Sequence, residues 1–189
     1  MRGRMSSQAG LIMSALEIYN QRFADSGERV FVGALNSARR RGQYDVVPEH
    51  FIEALVAEED RFFQLLTSHF EVDPVHIQLL LAKYLEIFPR QAGAKLRLAP
   101  VTIDLLKKAR ELATLDARKK IESFDLVMAL ADDPAGVLIK ILRDLNGNES
   151  AAATTVRALV RCTETLLYRL AVDKKVNVIF VYDETAQQG

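Results

Sequence analysis

The same pattern of small and apolar side chains occurs twice in this chain, and that repetition restricts it to folds built from two similar halves. Adding 75 to a residue number takes Ala34 to Ala109, Ala38 to Ala113, Ala54 to Ala129 and Leu55 to Leu130. The apolar frame follows at the same offset, pairing Val30 with Leu105, Phe31 with Leu106, Val46 with Ile121, Phe51 with Leu126 and Ile52 with Val127. Past Asp132-Asp133-Pro134 the offset becomes 76, so that Leu66 matches Leu142 and Leu80 matches Val156, as one inserted residue in a surface loop produces. Alanine at matched places leaves room for a neighbouring helix, so both halves are expected to share one packing scheme.

Helical spacing fills each half. An amphipathic helix is expected over residues 11–24, ahead of the main body, and Asp25-Ser26-Gly27 is expected to break it. Val30, Phe31, Ala34, Leu35 and Ala38 then form one stripe of a helix ending near Gly42, with Arg39, Arg40 and Arg41 in its last turn. Val46-Val47-Pro48 leads into a second helix, Phe62 to Phe70 gives a third, and Asp73-Pro74 opens a fourth. Pro89 to Ala99 reads as a linker, after which the pattern restarts, so two sets of four give eight core helices. The tail departs from this plan. A helix is expected from Ala151 to Val172, and Val176 to Tyr182, rich in β-branched and aromatic residues, reads as one strand in need of a pairing partner.

With 189 residues the chain suits one compact domain with appendages. Its 25 basic and 25 acidic residues leave no net field to draw it to nucleic acid or to an anionic membrane surface. No apolar run approaches the roughly 18 residues of a membrane-spanning helix. The single cysteine, Cys162, cannot form an internal disulfide, which fits a reducing, cytoplasmic setting.

Motifs for chemistry are missing. No phosphate-cradling Gly-x-x-x-x-Gly-Lys-Ser/Thr run occurs, and His50, His69 and His76 lack metal-ligand spacing. Glu49-His50 juxtaposes a carboxylate and an imidazole, but adjacent helix residues point in different directions and the carboxylate suits a helix N-terminus. Cys162 sits among Val160, Leu166 and Leu167, as a buried structural thiol would. Arg39-Arg40-Arg41 offers either contacts to an acidic partner or compensation of a helix C-terminus. Glu58-Glu59-Asp60 and Asp132-Asp133 read as solvated turns with helix-capping roles.

The doubled pattern, and above all Val46-Val-Pro-Glu-His50-Phe-Ile-Glu-Ala54-Leu55-Val56, closely resembles the Clp amino-terminal repeat over about residues 29–160. The second copy, Ile121-Glu-Ser-Phe-Asp125-Leu-Val-Met-Ala129-Leu130, keeps the apolar frame without Glu-His. The resemblance implies an all-α, pseudo-twofold bundle of duplicated four-helix repeats, of the kind placed ahead of AAA+ unfoldase rings such as ClpA, ClpB, ClpC and ClpV. It implies capture of substrates or adaptors without covalent chemistry. The branch of the family that recognises phosphorylated arginine has a Glu before an alanine in the first helix of each repeat, where this chain has Ser37 and Leu112, so that ligand is not expected.

The expected organisation is a helical extension over 1–28, a double repeat over 29–165 (29–88 and 100–160), and a helix end plus strand over 166–189. The expected function is a non-catalytic protein-binding domain, needing no cofactor, that docks a protein or peptide substrate or adaptor for a Clp-type AAA+ chaperone or protease. Phe31 and Leu106, equivalent positions in the opening helices, are the candidate groove residues, with Arg39 and Arg40 as further partner contacts. The alternative is a self-associating scaffold or accessory protein, homodimeric through the C-terminal strand and the terminal helix.

Overall fold

A computed structural model describes residues 23–91, 94–133 and 135–146. The helix expected before Phe23, the helix over 151–172 with Cys162, the strand over 176–182 and the Leu80–Val156 match lie outside the described residues. Within them are seven helices: α1 (Asp25–Arg40), α2 (Pro48–Ala57), α3 (Arg61–His69), α4 (Pro74–Glu86), α5 (Pro100–Leu115), α6 (Ser123–Asp132) and α7 (Val137–Asn146). This is the all-α duplicated plan, with α1 to α4 in one half and α5 to α7 in the other.

Local chemistry accounts for most boundaries. Asp60 caps α3 by accepting from the backbone N–H groups of Phe62 and Phe63 at 3.1 and 3.0 Å. Asp73 caps α4 by accepting from the Val75 N–H at 2.8 Å, and Pro74 occupies its first turn. α1 begins where a break was expected. Asp25 and Glu28 lie in its first turn and Arg39 and Arg40 in its last, so both ends suit the helix dipole.

Gly27 is needed in that first turn for its lack of a side chain. A Cβ there would stand 2.3 Å from the carbonyl oxygen of Ile121. The close approach belongs to a pairing between the halves that the sequence does not advertise. Asp45–Val46 (β1) and Arg97–Leu98 (β2) form a two-stranded parallel sheet, so part of the expected linker is a strand. Phe23 makes a parallel bridge with Ile121. The two pairings are the same one repeated: Phe23 matches Leu98 and Ile121 matches Val46 at the offset of 75. The Ala24 N–H donates to Ile121 O at 2.8 Å, and the Ala99 N–H donates to Val46 O at 3.0 Å. Each half thus binds the segment that leads into the other half's first helix.

The core fills the space between these pairings. α1 packs on α2 and on α6, and α5 packs on α6 and on α2. Ala34, Ala38, Ala109 and Ala113 are all buried, as the close approach of helices at matched alanines requires. Phe31 stacks on Phe23 with ring centroids 5.0 Å apart and meets Phe51 edge-on at 6.1 Å.

Gly42 and Ala117, at matched turns after α1 and α5, have φ of 69° and 56°. In both turns the next N–H reaches back along the helix, Gln43 to Ala38 O at 2.9 Å and Arg118 to Ala113 O at 2.8 Å. Alanine is strained in this left-handed region where glycine is not.

Two substitutions test this account. Ala117→Gly is expected to stabilise the fold by about 0.5–1 kcal/mol. Gly27→Ala should destabilise it by about 2–3 kcal/mol, because the added methyl forces α1 away from Ile121. Urea unfolding should show both as midpoint shifts at unchanged slope.

Candidate functional site

The Glu49-His50 pair belongs to a helix cap. His50 is buried, and its Nδ1 accepts from the Val47 backbone N–H at 3.0 Å, satisfying a donor that α2 cannot use. That bond places the ring proton on Nε2, which donates to Gln43 Oε1 at 2.8 Å, while Gln43 Nε2 donates to the Leu85 carbonyl. Burial lowers the imidazole pKa from 6.5 to about 4, with Glu53 opposing that shift and Arg41 adding to it. A neutral, enclosed ring with both nitrogens engaged is not placed to move protons for a substrate.

The second half repeats this cap with different chemistry. Asp125, matched to His50, accepts from the Glu122 N–H at 2.8 Å, and Arg118, matched to Gln43, donates to Asp125 at 2.6 Å through Nη1. Loss of Glu-His in the second copy therefore leaves the acceptor in place, because a carboxylate serves where the imidazole does. The Arg118 pKa is raised: burial opposes its charge, but the hydrogen bonds and charge of Asp125 outweigh that.

A groove of about 530 Å³ opens where the halves meet. One wall is the face of α5 carrying Val101, Asp104, Leu105 and Lys108, which recur at the i, i+3, i+4, i+7 spacing of one helix stripe. Across from it lie Val47, Pro48 and Glu49 at the start of α2, with Phe88 beyond α4. Ala129 and Leu130 of α6 are apolar and buried, while Asp132 and Asp133 stand at the end of that helix. Val101 is 59% exposed on the rim, an apolar side chain held open to solvent.

The rim is mainly acidic. Lys108 pairs with Asp132 at 2.8 Å and Lys107 with Asp104 at 2.9 Å. The Asp132 hydrogen bond raises the Lys108 pKa. Burial pushes the Glu49 carboxyl above the usual range, with a backbone hydrogen bond and Lys140 only partly opposing it. Beside the groove, Tyr84 of α4 donates to Asp144 of α7, and the Lys140 ammonium lies 4.5 Å from the Tyr84 ring centroid. Burial and the Asp144 hydrogen bond push the Tyr84 pKa up to about 12.

The structure places the expected site residues elsewhere. Phe31 and Leu106 are each 1% exposed and belong to the core, because the matched position on each first helix faces its partner helices. The neighbour, Leu105, is the one that lines the groove. Arg40 is exposed at the end of α1, and Arg39 Nη1 donates to Asn36 Oδ1 at 3.3 Å; neither reaches the groove. Arg41 of the same run pairs with Glu53 at 2.7 Å. Burial alone would raise the Glu53 pKa, but hydrogen bonds from Arg41 and Ser37 carry it down. Among the described residues, no group of His, Cys, Asp and Glu could hold a metal ion. No helix there is long and apolar enough to cross a membrane.

Residues 22–145 match the family model described as the Clp repeat (R) N-terminal domain. The Hsp104 N-terminal domain from Candida albicans superposes with a TM-score of 0.59 at 17% identity, covering 74% of this chain and 91% of that one. The N-terminal domain of the ClpV1 ATPase from the E. coli EAEC Sci1 type VI secretion system gives 0.58 at 24% identity, covering 82% and 91%. A chain from a structure described as "Peptide from EAEC T6SS Sci1 SciI protein" gives 0.58 at 23% identity, covering 82% and 93%. These likenesses show the fold. A search of curated protein sequences gives no significant match.

The His50 cap predicts a pH dependence of stability. The folded chain binds the proton near pH 4 and the unfolded chain near 6.5, so between those values the unfolded state holds more protons and acid favours it. Stability from this group is complete above pH 6.5 and falls by roughly 3 kcal/mol as pH drops toward 4. Chemical denaturation across that range should show the slope in the native chain and a shallower one in His50→Asn, whose amide oxygen can still accept from Val47.

Proposed function

We propose that this chain, which belongs to the Clp repeat (R) N-terminal domain family, is a non-catalytic protein-binding domain that docks a substrate or adaptor segment for a Clp-type AAA+ chaperone or protease. The observation that carries this reading is the groove between the repeats. Its volume of about 530 Å³ lies in the range of about 300–1,000 Å³ usual for ligand clefts. Buried Leu105, Ala129 and Leu130 give it an apolar floor, and Val101 and Phe88 extend that surface to the rim. Such a site can take up the apolar side of a short helical or extended segment and release it unchanged. The similar structures include N-terminal domains of Hsp104 and of the ClpV1 ATPase, which is the context the reading assigns to this domain.

Phe31 and Leu106 act in this reading by holding the two first helices in register, while Leu105 and Val101 meet the guest. Arg39 and Arg40 remain proposed as outlying contacts for an acidic stretch of a larger partner.

Val101→Asp tests the groove directly. Its side chain is exposed and lies in the first turn of α5, where a carboxylate suits the helix dipole, so the melting temperature should move by no more than about 2–4 °C. Binding of a fluorescein-labelled amphipathic leucine-rich peptide, followed by anisotropy, should weaken at least tenfold. Unchanged binding would remove the groove from the reading.

A further inference from the structure

The duplication supplies an internal comparison for the groove. At the offset of 75, Asp104 matches Arg29 and Asp133 matches Glu58. In the first half these positions bridge one another, with Arg29 Nε 3.2 Å from Glu58 Oε2 across a smaller opening of about 410 Å³. The cation is built in beside Asp25, Glu28 and Glu58, and Val32 is the one large apolar residue lining that opening, so it has no counterpart of the Leu105–Leu130 floor. In the second half both positions are carboxylates on the same groove, so the place of the Arg29 guanidinium is held by a second negative group.

What surrounds these carboxylates compensates them only weakly. Among the described residues, Asp133 Oδ1 accepts the backbone N–H of Ala135 at 3.0 Å and no side-chain cation, and the Lys107 partner of Asp104 is a solvent-exposed neighbour one helical turn along. Lys108 is engaged by Asp132. Glu49 adds a further carboxyl on the opposite wall.

We infer that the second-half groove selects a protein segment in which lysine or arginine flanks apolar anchor residues, the guest's cation taking between Asp104 and Asp133 the role that Arg29 plays toward Glu58 in the first half. This rests on the docking function proposed above and deepens it by naming the guest's chemistry. Apolar side chains fill the floor over Leu105 and Leu130, and the cation fixes which way the segment lies. The first-half opening carries a cation of its own and lacks that apolar floor, so it disfavours such a guest and one segment binds per chain.

Two fluorescein-labelled peptides with identical leucine and alanine positions, one flanked by lysine and arginine and the other by glutamate, separate the outcomes. Anisotropy titration of the full chain at low salt should give a Kd at least tenfold lower for the basic peptide, with one site per chain. The preference should shrink to less than threefold in 0.5 M NaCl, and likewise in Asp104→Asn/Asp133→Asn, which keeps the Oδ1 acceptor for Ala135. Equal affinities in the native chain, or a preference that survives in the double variant, would overturn the charge selection while leaving the groove intact. If neither peptide binds, or if Val101→Asp leaves both unaffected, the docking reading itself fails. A dimer in sedimentation velocity that Val101→Asp dissolves would make a second copy the occupant and would overturn the assignment to a foreign segment. Salt dependence in the native chain needs no variant, so the test stands even if the double substitution unfolds.

Discussion

Two backbone hydrogen bonds between the halves, Ala24 N–H to Ile121 O and Ala99 N–H to Val46 O, set the geometry on which the described fold depends. Each fixes the start of one half's first helix against the other half's middle segment. Once both are made, α1 must lie on α6 and α5 on α2, and the apolar stripes of all four face a common core. The demand at each junction is steric as well as polar. Gly27 keeps the first junction open at Ile121, and at the matched place Thr102 instead donates its hydroxyl to Val46 O at 2.7 Å. One scaffold thus tolerates two solutions, provided the carbonyl keeps its partner.

The same tolerance explains how the copies have diverged. At the α2 and α6 caps the backbone N–H needs an acceptor, and the neutral Gln43–His50 pair or the charged Arg118–Asp125 pair meets that need. The neutral pair avoids the desolvation cost of buried charge but carries an acid sensitivity, since protonating His50 would abolish its Nδ1 acceptor. The charged pair depends on both members, because either alone would be an uncompensated charge next to the core.

Divergence at the rims changes the surface of the domain. Phe124, matched to Glu49, turns onto Phe62 with ring centroids 4.8 Å apart, and Ser26, matched to Val101, accepts from the Ser123 N–H at 3.3 Å. Those places are thus occupied by contacts within the domain itself. At the groove the corresponding places hold exposed Val101 and the carboxyl of Glu49, so the apolar floor stays accessible. A symmetric backbone has become an asymmetric surface, with the apolar floor open on one side.

The sequence by itself determined the duplication, the helical pattern and the caps at Asp60 and Asp73, because helical spacing, Asp60, Asp73-Pro74 and the matched alanines act within a few residues of one another or repeat at a fixed offset. It also determined that His50 and Asp125 sit at equivalent places. Only the tertiary structure decided that Val46 pairs with Leu98 and Ile121 with Phe23, since pairings of one or two residues have no period to read and the partners lie some 50 to 100 residues apart. Only the tertiary structure decided, too, that Phe31 and Leu106 are core while Leu105 and Val101 meet the groove. Neighbouring apolar residues on one helix look alike in a pattern, and which of them faces a cleft depends on where the other half's helices come to rest.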